Sequence, residues 1–171
     1  MSSELHKNIL NKDRLLVTKK DLDKTSEIIL TKYKDRYGSP TFFEGILGEV
    51  MYSKKRNNDV IQPERGGELD FKGVDFIEND KYIDLKCPLI KNGYVRIFMG
   101  SAENYFKETD LYALSILLKE DDKAYYIEVG RIEPKGVFTE LPYIVKDNER
   151  LRYIMINSQF KRFSKYLIRE N

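Results

Sequence analysis

The run Gly73-Val74-Asp75-Phe76-Ile77-Glu78-Asn79-Asp80-Lys81-Tyr82-Ile83-Asp84-Leu85-Lys86 decides how the chain is read. Two short stretches of alternating apolar residues flank a polar segment, Glu78 to Lys81, which is the pattern of a β-hairpin. A turn centred between Asn79 and Asp80 sets Ile77 opposite Tyr82, Asp75 opposite Asp84 and Gly73 opposite Lys86. Strand side chains alternate between faces, so Asp75, Asp84 and Lys86 share one face. Val74, Phe76, Ile83 and Leu85 take the other, the core face.

Two carboxylates directly opposed across a hairpin repel unless positive charge lies between them. Cross-strand partners stand about 4.5–5.5 Å apart at Cβ, close enough for both to reach one divalent cation. Lys86 adds an ammonium at the rim. Carboxylate, carboxylate and lysine on one sheet face suit metal-assisted attack of water on a phosphodiester. The cation polarises the phosphoryl oxygen and lowers the pKa of a bound water, while the lysine orients that water or offsets charge growing on the phosphate. A solvated hairpin with a charged face is the alternative, but it leaves the like-charge pair in register unexplained.

Composition narrows the chemistry. The 171 residues, 41% apolar and 34% charged, read as one globular domain spanning 1–171, long enough for a sizeable core. Its centre is expected at about 40–130, with an N-terminal helix and a C-terminal basic, aromatic helix as additions. No apolar run approaches the ~20 residues of a membrane span. Met1 to Lys7 lacks the apolar segment of a signal peptide, so the expected location is cytoplasmic. The lone Cys87 excludes an internal disulfide and any all-cysteine metal site. The lone His6 argues against histidine-pair ribonuclease, Ser-His-Asp and multi-histidine zinc chemistry. Carboxylates and lysines remain. A net charge of only +2 means that attraction to phosphate has to come from local patches.

Along the chain, Thr18 followed by Asp21 resembles a capping signal for a helix over about 21–37. A second helix is expected over 42–55, where Phe43, Ile46, Leu47, Val50 and Met51 form a broad apolar stripe. Glu49 lies at its flank, within Gly45-Ile46-Leu47-Gly48-Glu49. The two glycines each cost about 0.8–1 kcal/mol of helix stability, which close approach to the hairpin sheet would offset. Glu49 then either overhangs the acid pair as a third ligand or pairs with Lys54 or Arg56. Glu44 lies about 140° away round the same helix. Lys54-Lys55-Arg56 complements the helix C-terminus and either touches a phosphate backbone or is solvated. Gln62 to Glu68 is a loop. Asp70 rivals Asp75, but strand parity puts it on the apolar face, so Asp75 is preferred.

Gly93 to Met99 reads as a third strand whose Arg96 reaches the site face or is solvated. A short helix over 102–107 leads to Asp110–Leu118, nearly all apolar and so a strand buried on both faces, followed by a strand at 125–129. Residues 142–156 hold a short strand or helix. The tail, 157–168, fits a helix with Phe160, Phe163, Tyr166 and Leu167 inward and Lys161, Arg162 and Lys165 outward. Basic residues among aromatics suit contact with a nucleic-acid backbone, and equally a solvated closing helix.

Glu49 on the leading helix, Asp75 in Gly73-Val74-Asp75, and Asp84 and Lys86 in Ile83-Asp84-Leu85-Lys86 together resemble the PD-(D/E)XK nuclease superfamily over residues 40–130. The resemblance implies an α/β (α+β mixed) fold with a restriction-endonuclease-like αβββαβ core. Its central mixed sheet would have four or five strands and helices on both sides. It implies that Glu49, Asp75 and Asp84 hold one or two Mg²⁺ ions, with Mn²⁺ as substitute, and that Lys86 assists the attacking water. Val74 replaces the family's proline, and Asp84 its commoner glutamate. The expected function is a Mg²⁺-dependent endodeoxyribonuclease, with Lys54, Lys55, Arg56, Arg96, Lys161, Arg162 and Lys165 as candidate nucleic-acid contacts. Double-strand cleavage by so small a chain would call for a two-fold homodimer. An RNA-directed nuclease or toxin, or a catalytically inactive nucleic-acid-binding protein on the same fold, are the alternatives.

Overall fold

The Asn79-Asp80 turn has both residues at positive φ, 50° and 63°. That is the type I′ geometry whose twist matches paired strands, and Asn and Asp are the non-glycine residues that tolerate it best. It joins β2 (Phe76–Glu78) to β3 (Lys81–Lys86), with Phe76 opposite Ile83, Ile77 opposite Tyr82 and Glu78 opposite Lys81. The register is the one expected from the turn. The computed structural model describes residues 13–57, 59–90, 95–101, 109–134, 140–156 and 167–168.

Beside β3 runs β6 (Leu111–Glu120), parallel to it and buried from Leu111 to Leu118, as a strand covered on both faces should be. The Asp121-Asp122 turn, again with two positive φ values (51° and 61°), returns the chain antiparallel as β7 (Lys123–Ile132). β1 (Leu15–Leu16) adds to the outer edge of β7, and β4 (Leu89–Ile90) continues along β6 beyond the end of β3. The result is a six-stranded mixed sheet, β1-β7-β6-β3-β2 with β4 beside β6, in a mixed α/β fold.

The third expected strand does not join this sheet. β5 (Val95–Ser101) pairs instead with β9 (Glu149–Ile156), which pairs with β8 (Tyr143–Lys146) in a separate antiparallel sheet. Residues 142–156 are thus largely a hairpin, turned by Asp147 and Asn148 at φ 52° and 63°.

Helix α2 (Pro40–Lys55) covers one face of the large sheet, and α1 (Lys19–Lys32) packs against α2. There Leu47, Met51 and Tyr52 pack on Phe76, Ile83, Leu85, Leu117 and Tyr126. On the other face Leu114, Ile116, Ile127 and Val129 pack on Ile97, Met99 and Ile154 of the small sheet. The helix packed on the sheet thus covers one side, and strands of the small sheet cover the other. The expected helix at 102–107 and most of the expected tail helix, with Lys161, Arg162 and Lys165, lie outside the described residues. Leu167 forms a β-bridge with Ile132, and the Ile168 N–H donates to the Arg131 carbonyl at 2.8 Å, so these two residues extend sheet rather than helix. No described helix is long and apolar enough to cross a membrane.

Helix α1 starts with a reciprocal capping box between Thr18 and Asp21. Asp21, only 6% exposed, also accepts from Lys54 Nζ of α2 at 2.8 Å and so ties the two helices together. Burial opposes its charge, but Lys54 and Thr18 outweigh burial and hold its carboxyl below the usual 3.8. Helix α1 stops at Lys32, short of Tyr37, and a 3₁₀ turn over Lys34–Arg36 follows. In α2, a Cβ added at Gly48 would stand 2.6 Å from Cys87 Cβ at the end of β3, whereas one at Gly45 meets nothing within 4 Å. Only Gly48 is required by close approach.

Two stability tests follow from this packing. Gly48→Ala should lower unfolding free energy by about 1–3 kcal/mol, while Gly45→Ala should raise it by up to about 1 kcal/mol, both read by urea denaturation. Asp21→Ala should cost about 1–2 kcal/mol at neutral pH. Because the folded pKa is depressed, that contribution is complete above the unfolded value of 3.8 and is lost as the pH falls through the lower folded value.

Candidate active site

Asp75 stands one residue before β2. Its N–H donates to the Ile83 carbonyl at 2.9 Å, and its Oδ2 accepts from the Leu85 N–H at 2.8 Å. That amide points in the plane of the sheet, toward the chain that turns away at Gly73 (φ +87°). The carboxylate therefore replaces a missing ladder carbonyl. With its carboxylate turned to the Leu85 amide, Asp75 departs from the simple alternation of the hairpin.

Ile83 and Leu85 belong to the helix-side core, so Asp84 and Lys86 point to the opposite face. Asp84 Oδ1 lies 3.0 Å from Lys86 Nζ, which in turn sits 5.7 Å from the centroid of the Tyr112 ring. Glu49 arrives from the helix side, brought against the end of β3 by Gly48. Three elements thus bring Glu49, Asp75, Asp84 and Lys86 to one edge. Burial, then Glu49 and Asp84, drive the Asp75 carboxyl well above the usual carboxylate range. Burial lifts Glu49 to about 7 against the pull of Arg65, and lifts Asp84 against that of Lys86. Burial works against the Lys86 ammonium, but Asp84 more than offsets it and keeps the lysine protonated.

Glu49 pairs with neither Lys54 nor Arg56. Its Oε1 accepts from Gln62 Nε2 and Arg65 Nη1, both at 3.0 Å. Asp70 is not on a strand at all: it lies in α3 (Glu68–Phe71), and its Oδ2 accepts from Tyr33 Oη at 2.6 Å and the Gly66 N–H at 2.7 Å. Burial and Asp70 push the Tyr33 hydroxyl up to about 12. The loop before the hairpin is therefore strapped down across Glu49. Gln62, Arg65 and Tyr33 were not among the sequence candidates. Their only signal was an arginine beside paired glycines, which is common to many loops.

The basic cluster at the end of α2 is paired with acids of this chain. Lys54 is paired with Asp21, and Lys55 lies 3.9 Å from Glu128. Arg56 pairs with Glu78 at 2.9 Å and with Glu128, and its guanidinium lies 3.6 Å from the centroid of the Tyr52 ring. Its side chain is 15% exposed and is held by these two acids. Arg96 is solvent-facing on β5, and with Lys86 it lines a groove of about 230 Å³.

The donor set fits a hard divalent cation, since it offers carboxylate oxygens in a half-buried site where like charges meet. As the side chains stand, no group of three or more His, Cys, Asp or Glu among the described residues is arranged to hold a metal ion. Glu49 is held by Arg65, and Asp75 by the Leu85 amide. Mg²⁺ commonly takes one or two carboxylates, with water and phosphate completing its shell, so Asp75 and Asp84 meet that minimum.

A scan against protein-family models finds no match, and a search of curated proteins returns no significant match.

Crowded carboxyls lower stability, and the effect is measurable without substrate. Asp75→Asn keeps an acceptor for the Leu85 N–H while removing the charge. In metal-free buffer at neutral pH it should raise the melting temperature by about 2–4 °C, corresponding to roughly 1 kcal/mol. The gain should vanish in acid: raised carboxyl pKa values make the wild type lose stability as pH rises, not as it falls. Asp75→Ala should instead lower the melting temperature, because it leaves the amide unpaired.

Proposed function

We propose that the protein is a Mg²⁺-dependent nuclease that hydrolyses phosphodiester bonds in nucleic acid, with DNA as the polymer. The supporting observation is the cluster itself, in which half-buried Asp75 feels the charges of both Glu49 and Asp84, and the Lys86 ammonium is paired with Asp84. A purely structural edge would gain nothing from three acids whose charges oppose one another. The PD-(D/E)XK resemblance carried by these four residues supports the same function and a restriction-endonuclease-like core.

Asp75 and Asp84, with Glu49 once released from Arg65, would hold Mg²⁺ or Mn²⁺. The ion would supply charge stabilisation at the phosphoryl group and a lowered pKa for the attacking water. Lys86, held by Asp84, would donate to the attacking water or to a phosphate oxygen. Arg96, which lines the same groove as Lys86, would take a neighbouring phosphate.

Digestion of duplex DNA, single-stranded DNA and RNA in Mg²⁺ or Mn²⁺ tests this directly. DNA should be cut. Asp84→Ala should abolish cutting and Lys86→Ala should slow it by about 10²–10⁴-fold, with folding intact. Cleavage of RNA alone would shift the activity to an RNA-directed nuclease. Absence of cleavage on all three polymers would reduce the chain to a binding protein.

A further inference from the structure

The small sheet turns one face to the core, through Ile97, Met99 and Ile154, each no more than 2% exposed. By alternation its other face carries Arg96 opposite Met155 and Phe98 opposite Tyr153. Phe98 is 41% exposed, an unusual amount for a phenylalanine within a paired strand. The Phe98 and Tyr153 rings meet in a T-shaped contact, with 6.2 Å between centroids and 66° between planes. The Arg96 guanidinium lies 5.0 Å from the centroid of the Tyr153 ring. Phe98 and Arg96 also line the groove that contains Lys86, which makes this face continuous with the candidate active site.

We infer that the outer face of the β5-β9-β8 sheet is a stacking platform for a nucleic-acid strand with unpaired bases, which Phe98 and Tyr153 hold by their rings and Arg96 by its phosphate as the strand passes to Lys86. The inference rests on the nuclease proposal for the identity of the ligand, and it narrows the substrate to single-stranded or locally melted DNA. Every base offers a π-face, so aromatic side chains on an open sheet bind strands with little regard to sequence. In a duplex those faces are already covered by neighbouring bases. The cationic Arg96 beside the rings complements a polyanion.

The test is fluorescence anisotropy with a labelled single-stranded oligonucleotide of mixed sequence and with the same sequence as a blunt duplex. It is run in Ca²⁺ to limit turnover, on the full chain and on Phe98→Leu, Phe98→Ala and Arg96→Ala. Circular dichroism checks that each variant is folded. The wild type should prefer the single strand. Phe98→Leu, which keeps the apolar bulk and removes the ring, should weaken single-strand binding about tenfold and leave duplex binding nearly unchanged. Arg96→Ala should reduce the salt dependence of binding by about one phosphate contact. Equal single-strand affinity for wild type and both Phe98 variants would overturn the inference, as would a preference for duplex. So would light scattering that shows a wild-type dimer lost in Phe98→Leu, because the face would then be a self-interface. Cleavage without Phe98-dependent binding refutes the platform alone; Phe98-dependent binding by a protein that cuts nothing refutes the nuclease alone and upholds the platform.

Discussion

The hydrogen bond from the Leu85 amide to the Asp75 carboxylate is the contact on which the site depends. β2 is only three residues long, and Gly73 turns the chain away before it can offer β3 another backbone carbonyl. An unmet amide at that depth would cost about 1–3 kcal/mol. The side chain that answers it is an acid, and the acid is thereby fixed at the sheet edge where two others arrive. Asp84 comes from the face opposite the helices because Ile83 and Leu85 are needed in the core. Glu49 comes from the helix side because Gly48 lets α2 approach Cys87.

Elsewhere the fold matches its buried charges. Asp21 has Lys54, and Glu78 and Glu128 share Arg56, with Arg131 also on Glu78. Around Asp75, three acids face Lys86 and Arg65. Such an excess of acid in a fold that otherwise pairs its ions is what motivates the proposed cation site.

Much of this was legible in the residues. The Asn79-Asp80 turn specified the hairpin register because few residues accept two successive positive φ angles, and the apolar stripe of α2 and the Thr18–Asp21 box marked the helices. Asp121-Asp122 and Asp147-Asn148 use the same turn chemistry, and the second of these was legible in principle as the hairpin found at 142–156. The in-plane position of Asp75 was not, because alternation assumes that the strand continues and only the Gly73 turn ends it. Nor was the small sheet, since β5 meets β9 across a long stretch of chain and pairing between distant strands leaves no local period. The charge at the end of α2 was ambiguous for a related reason: helix-end cations look alike in sequence, and the partners of Arg56 lie on β2 and β7. Arg65 escaped notice because a loop arginine acquires meaning only when the loop folds over Glu49.

The measurement closest to the centre of this account is isothermal titration of Mg²⁺ or Mn²⁺ into the metal-free protein, with Asp75→Asn and Asp84→Asn alongside. Saturable binding at up to millimolar metal in the wild type, lost in both variants while they remain folded, is the predicted result. Heats of dilution alone in the wild type, or binding that survives removal of both charges, would contradict the assignment of the sheet-edge acids as a cation site.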